Sequence, residues 1–146
     1  MDTFLMHFAQ RNNKVGLSKT WVLLNDHITE HKKFKIAAYY TLASCSIIRE
    51  DLPVTQSLPA YPIPITLLAR IAIDTTHQGK GLGSKVLITA LRQAVILSDL
   101  GLPSYGVVLD VLDQQALEFY QNFDVFKPFS DNPMRLFIPM TTLRKI

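Results

Sequence analysis

The chain is poor in cysteine, in clustered histidine, in charge and in long apolar runs, and each shortage removes a class of function. Cys45 is the only cysteine among 146 residues, so no disulfide can form within the chain, and a reducing cytoplasm is the expected setting. It falls in Lys35–Ile47, a stretch that reads as a strand, where the thiol is expected to be a small core residue and not a nucleophile. His7, His27, His31 and His77 are scattered. His27 and His31 have i,i+4 spacing but fall in a turn, so no metal site is expected. The apolar stretch Ile63–Ile73 is too short to span a membrane and is interrupted by Arg70. Met1-Asp2-Thr3-Phe4-Leu5 has neither a basic n-region nor a long apolar h-region, and no secretion signal is expected. Neither repeats nor low-complexity tracts occur.

What is present suits one globular domain spanning residues 1–146, with an apolar share of 48% that is ample for a core. The net charge of +3 is mildly favourable to an anionic partner without naming one. Positive mean hydropathy with only 18% charged residues points to surface covered by a second copy or by another protein, so a lone monomer is not expected.

Phe4, Leu5, Phe8 and Ala9 recur at helical spacing, and Asn12-Asn13-Lys14-Val15-Gly16 suits a helix end. Trp21–Leu24 and Phe34–Ile47 predict the strands of an antiparallel hairpin with Asn25–Lys33 as its turn. Arg49–Pro64, with Pro53, Pro59, Pro62 and Pro64, predicts a loop. Ile65–Ile73 reads as a central strand. Gly83–Asp99 reads as a helix with Leu82, Val86, Leu87, Ala90, Leu91 and Ala94 as its inward stripe. Tyr105–Leu112 predicts another buried strand, and Asp113 can cap a helix running to about Asn122. Pro128 to Pro133 predicts a loop and Arg135–Met140 a last strand, in which Pro139 argues for an edge or a bulge. This order predicts an α/β fold of the mixed-sheet (α+β) kind, with a parallel pair around the loop that follows Ile73.

That loop, Gln78-Gly79-Lys80-Gly81-Leu82-Gly83, sits between a strand and a helix N-terminus. Its glycines let backbone N–H groups approach a ligand, and the first helical turn behind them offers unpaired donors and a positive dipole end, a seat for a pyrophosphate. It is no Walker A loop, because Lys80 is followed by Gly81 in place of Ser or Thr. It is no dinucleotide fingerprint either, because the third glycine position after Gly81-Leu82-Gly83 is Val86. The pattern Gln/Arg-x-x-Gly-x-Gly/Ala does fit, through Gln78, Gly81 and Gly83, and it resembles the acetyl-CoA loop of the GNAT N-acetyltransferase superfamily.

Members of that superfamily usually begin one strand earlier than this sequence does. The resemblance implies an acetyl-CoA-dependent acyltransferase without a metal. Ile71, Ala72 and Ile73 would lie beside the pantetheine arm, with a backbone N–H near Ile73 for the thioester carbonyl. Gln78, Gly79, Lys80, Gly81, Leu82, Gly83 and Ser84 would hold the diphosphate. Asp113, Ala116 and Phe119-Tyr120 resemble the family's Asn/Asp-x-x-Ala-x-x-Phe-Tyr signature; the resemblance implies that Asp113, Ala116 and Phe119 help to bind the coenzyme and that the tyrosine points at its sulfur. A phenol of pKa near 10 stays protonated at neutral pH and can serve as general acid toward a thiolate of pKa about 8 to 9. No general base stands out, and an amine of low pKa, such as the ester-linked α-amine of an aminoacyl-tRNA, needs none.

Several segments resemble more closely the acetyltransferase toxins of bacterial type II toxin–antitoxin pairs, which acetylate aminoacyl-tRNA. They are Asn12–Val22 with its Gly-x-Ser-Lys-Thr core, Tyr39-Tyr40-Thr41-Leu42-Ala43 with Ser46, Pro62-Ile63-Pro64, Leu68–Asp74, Pro128-Phe129 and Asp131–Leu136. The resemblance implies a dimeric translation inhibitor of the bacterial cytoplasm, neutralised by a ribbon-helix-helix antitoxin. Arg11, Lys14, Lys19, Arg70, Lys85 and Arg92, with Arg49 and Arg135, are candidates for tRNA phosphate contacts. Arg70 is singled out because a charge inside an apolar strand calls for a partner or a ligand. Two rival readings stay open at this level: acetylation of a small amine or a protein N-terminus, and a catalytically silent CoA-binding domain.

Overall fold

The computed structural model describes residues 2–28 and 34–146. Six strands form one mixed sheet in the order β1-β2-β3-β4-β6-β5: β1 (Lys19–Ile28), β2 (Phe34–Ile47), β3 (Ile63–Ile73), β4 (Gly106–Asp110), β5 (Lys127–Pro128) and β6 (Arg135–Pro139). β3 and β4 are parallel; the pairs β1/β2, β4/β6 and β5/β6 are antiparallel. The expected α/β class, with its parallel pair on either side of the glycine loop and the helix behind it, is what the chain adopts. By its internal contacts the chain divides into two compact units, residues 1–43 with 69–90, and residues 44–68 with 91–146.

In the first unit a helical segment opens the chain as α1 (Asp2–Phe4), a π turn (Leu5–Ala9) and α2 (Gln10–Lys14). It ends where the sequence predicts. Gly16 takes φ +79°, Leu17 N–H donates to the Asn12 carbonyl at 2.9 Å and Gly16 N–H to that of Asn13 at 3.2 Å, which is the bond pair of a Schellman motif. β1 is longer than Trp21–Leu24 because Lys19 and Thr20 continue the ladder opposite Leu42 and Thr41. The Thr20 and Thr41 hydroxyls share a hydrogen bond of 2.8 Å, a pairing that compensates for their polarity. Residues 25–28 belong to β1 and not to the expected Asn25–Lys33 turn; the rest of that stretch, 29–33 with His31, lies outside the described residues.

In the second unit Ile47, Ile63, Ile65, Val108, Phe129 and Phe137 form a buried cluster, and Leu52, Val54 and Leu58 from the proline-rich stretch pack onto it. Cys45 packs there too, half-buried, and burial pushes its thiol pKa up. β3 starts two residues before the predicted Ile65, and Pro64 joins it as an acceptor, its carbonyl taking the Tyr105 N–H at 2.8 Å. Gly106 opens β4 in direct contact with β6: a Cβ there would run into the Ile138 carbonyl and the Phe137 ring.

Two expectations need correction here. β5 is a two-residue strand whose Pro128 falls in the predicted Pro128–Pro133 loop; it pairs with Leu136 and Phe137, so β6 is covered there and keeps its edge character only near Pro139, which has no partner in β5. Met140 does not end that strand but begins α5 (Met140–Leu143).

α3 (Leu82–Asp99) buries Val86, Leu87, Ala90, Leu91 and Ala94 of the predicted stripe, with Leu82 at its start only half-buried. α4 (Gln114–Gln121) buries Leu117 and Tyr120. Among the described residues no helix is long and apolar enough to cross a membrane.

Candidate functional site

The first unit builds the loop. After Ile71-Ala72-Ile73, all half-buried, the Asp74 N–H donates to the Ala37 carbonyl at 2.8 Å and pins the end of β3 to β2. A 3-10 turn over Thr75–His77 follows. The Thr76 hydroxyl donates to the Asp74 carboxylate and holds that carboxyl below its usual pKa. Gln78 folds back so that its side-chain Nε2 donates to the Ile73 carbonyl at 3.1 Å. This bond gives the glutamine a defined role: it closes the turn onto the strand.

Gly79 and Gly81 then take φ +79° and +74°. A Cβ at either position would meet open space, so glycine is required there by backbone conformation and not by crowding. Gly83, by contrast, lies in the first turn of α3. The motif is therefore two left-handed turns followed by a helix start, and Gly79, which the consensus does not fix, matters as much to the path as Gly81. Residues Gln78–Gly81 are exposed and Leu82, Gly83 and Ser84 half-buried. The first amides of α3 have no intrahelical acceptor and stand at its positive end. Such a surface can receive a diphosphate.

The second unit carries the phenol. Asp113 caps α4, its Oδ1 accepting from the Ala116 N–H at 2.8 Å. The carboxylate and the amide of the signature are thus occupied with each other and start the helix that presents Phe119 and Tyr120. Tyr120 is only 7% exposed. Its ring meets Phe119 edge-on at 5.2 Å and Phe126 at 5.6 Å, and burial raises its phenol pKa to about 12. It is a neutral donor throughout the physiological range. Phe126 and Phe123, which extend this aromatic cluster, went unnoticed in the sequence, although the spacing Phe119, Phe123, Phe126 after a capped helix signals it. Asp110 at the end of β4 is engaged with Arg135, whose Nε lies 3.2 Å from its Oδ1. The Arg135 guanidinium lies over the Phe129 ring at 5.5 Å.

Among the candidate cations, Arg11 and Lys14 share an exposed groove on the N-terminal helix with His7 and Gln10. Lys19 lies over the Trp21 ring at 5.8 Å, and Trp21 stacks on Tyr40 at 5.3 Å. Lys85 borders an apolar cavity of about 430 Å³ lined by Trp21, Leu23, Tyr40, Leu82 and Val86; nothing in the linear pattern marks it. Arg70 is exposed, its guanidinium 4.3 Å from the centre of the Phe4 ring. The partner that a charge in this apolar strand calls for is thus an aromatic ring, met at an exposed position. Arg92, also exposed, belongs to the second unit, as do Arg49 and Arg135.

No protein-family model matches the chain. A tRNA-acetylating toxin of Mycobacterium tuberculosis is 32% identical over 149 residues, spanning 100% of this chain and 83% of that protein. Among solved structures, a mutant of KacT superposes with a TM-score of 0.87 at 24% identity, covering 99% of this chain and 84% of that one. AtaT complexed with acetyl-methionyl-tRNAfMet gives 0.84 at 25% identity, with 99% and 84% covered. An AtaT mutant bound to acetyl-CoA and the C-terminus of the antitoxin AtaR gives 0.78 at 23% identity, with 99% and 81% covered.

Proposed function

The chain belongs to the family of tRNA-acetylating toxins, and from that premise we propose that it moves the acetyl group of acetyl-CoA to the α-amine of an aminoacyl-tRNA and so stops translation. The observation that carries this is the identity to a tRNA-acetylating toxin along the whole chain, joined to the loop geometry that fits the donor. Acetyl-CoA is the donor substrate, and the chemistry asks for no metal.

In the transfer, the amine nitrogen attacks the thioester carbonyl carbon, the carbon–sulfur bond breaks and an amide forms. The backbone N–H near Ile73 is assigned to the carbonyl oxygen as negative charge develops on it. Tyr120 is assigned as donor of the proton taken by the leaving sulfur, and the proton lost by the nitrogen restores it by way of solvent. A phenol near 12 is weaker than a thiol of about 8.5, so the donation keeps pace with carbon–sulfur cleavage instead of preceding it. The α-amine of an aminoacyl ester is acidic enough to shed its proton to water, consistent with the absence of a base among the candidate residues.

The residue assignments follow the same logic. The left-handed glycines and unpaired first-turn amides support a diphosphate seat at Gln78–Ser84, with Ile71, Ala72 and Ile73 along the pantetheine. Arg11, Lys14, Lys19, Lys85 and Arg92 are exposed cations suited to phosphates of the acceptor stem. Asp113 and Ala116 contribute by setting the start of α4, and Phe119 by packing on Tyr120. A cognate antitoxin neutralises the enzyme; its ribbon-helix-helix class, the homodimeric state and the bacterial cytoplasm as the setting come from the family resemblance. Exposed apolar side chains such as Leu100 and Leu112 support a surface that a partner covers.

The test is transfer of label from acetyl-CoA to charged tRNA by purified protein. Label on the aminoacyl group is the expected result; label on small amines or protein N-termini alone moves the assignment to another acceptor.

A further inference from the structure

We propose that Arg70 is a positioning residue: through the ring of Phe4 it holds the N-terminal helix in place, and it does not itself touch RNA. This rests on the reading above, because the helix matters for Arg11 and Lys14, the cations it would present to the acceptor stem.

Three observations lead there. The helical segment is thinly anchored. Among residues 3–14 Phe4 alone is buried, at 8% exposure, and neither the π turn nor α2 buries a side chain. A helix this short is marginal without tertiary anchoring. The Phe4 ring has two partners on the sheet: it lies 5.9 Å from the ring of Tyr39 on β2 at an interplanar angle of 14°, and the Arg70 guanidinium of β3 lies 4.3 Å from its centroid. Lastly, Arg70 immediately precedes Ile71-Ala72-Ile73, so the strand assigned to the donor also carries the clamp on the helix assigned to the acceptor. A planar guanidinium suits that stack in a way an ammonium does not.

The closing experiment compares Arg70→Lys, Arg70→Gln and Phe4→Leu by two readouts. Hydrogen exchange of the amides of residues 8–14 is expected to accelerate in all three variants, about tenfold or more. The KM for charged tRNA is expected to rise about tenfold in all three, with the KM for acetyl-CoA and kcat within about twofold of wild type. A direct phosphate contact gives a different pattern: Arg70→Lys retains binding, Phe4→Leu leaves it alone, and the helix amides exchange at the wild-type rate. That pattern, or wild-type exchange in Arg70→Lys, overturns the proposal. Exchange needs no RNA, so a wild-type protein that acetylates no charged tRNA would remove the function assigned above while the clamp is still read from the amides.

Discussion

Replacing Tyr120 by Phe removes one oxygen from a position that is 7% exposed and leaves the ring with its Phe119 and Phe126 contacts. Acetyl-CoA affinity should therefore be unchanged by calorimetry. Turnover should fall by about 10² to 10⁴, the range for loss of a positioned proton donor, which is roughly 3 to 5 kcal/mol of barrier. The same substitution has a signature in stability. The folded phenol titrates near 12 and an unfolded one near 10, so between those values the folded chain binds more protons than the unfolded one and stability declines as pH rises. The full contribution is present below pH about 10 and is lost through pH about 12, amounting to about 2 to 3 kcal/mol. Urea denaturation of wild type and Tyr120→Phe at pH 8 and pH 11.5 measures it. The mutant should lose less stability across that interval; some decline will persist in both, because burial also raises the Tyr40 phenol. Equal turnover in the two proteins would remove Tyr120 from the chemistry, and identical alkaline slopes would refute the burial argument.

Gly81→Ala forces a side chain into φ +74°, at about 1 to 2 kcal/mol, and should weaken acetyl-CoA binding roughly tenfold by calorimetry while the thermal midpoint moves by only a few degrees. Gly106→Ala should do the reverse. Its Cβ meets the Ile138 carbonyl and the Phe137 ring, so chemical denaturation should show a loss of about 1 to 3 kcal/mol with acetyl-CoA affinity retained in the folded fraction. Arg11→Gln with Lys14→Gln should reduce the salt dependence of tRNA binding by a log–log slope of about 1 to 2; an unchanged slope would show that neither cation meets a phosphate.

Much of the fold is legible in the sequence because its long elements carry clear signals. The α3 stripe from Val86 to Ala94 buries what its spacing says it should, and β2 is legible from its apolar, aromatic composition, with Ala37 to Leu42 buried without a break. The glycine loop is legible because positive φ leaves few alternatives to glycine. Short elements escape: β5 is two residues long and contains Pro128, and α5 has a single turn, so neither offers a period to read. The π turn is equally silent, since Phe4, Leu5, Phe8 and Ala9 fit an ordinary helix as well. Arg70 is legible as a charge in need of a partner, but the identity of that partner is not, because the Phe4 ring comes from a helix more than sixty residues away in the sequence. The aromatic packing that isolates Tyr120 depends on Phe126, which lies beyond the end of α4 and comes near only once the chain folds.

The most direct test is a titration of isotopically labelled protein with acetyl-CoA, followed by backbone amide resonances. The account predicts saturable binding with its largest shifts at the amides of Gly79 to Ser84. Saturable binding that leaves those amides unmoved, or no binding by folded protein, would contradict it.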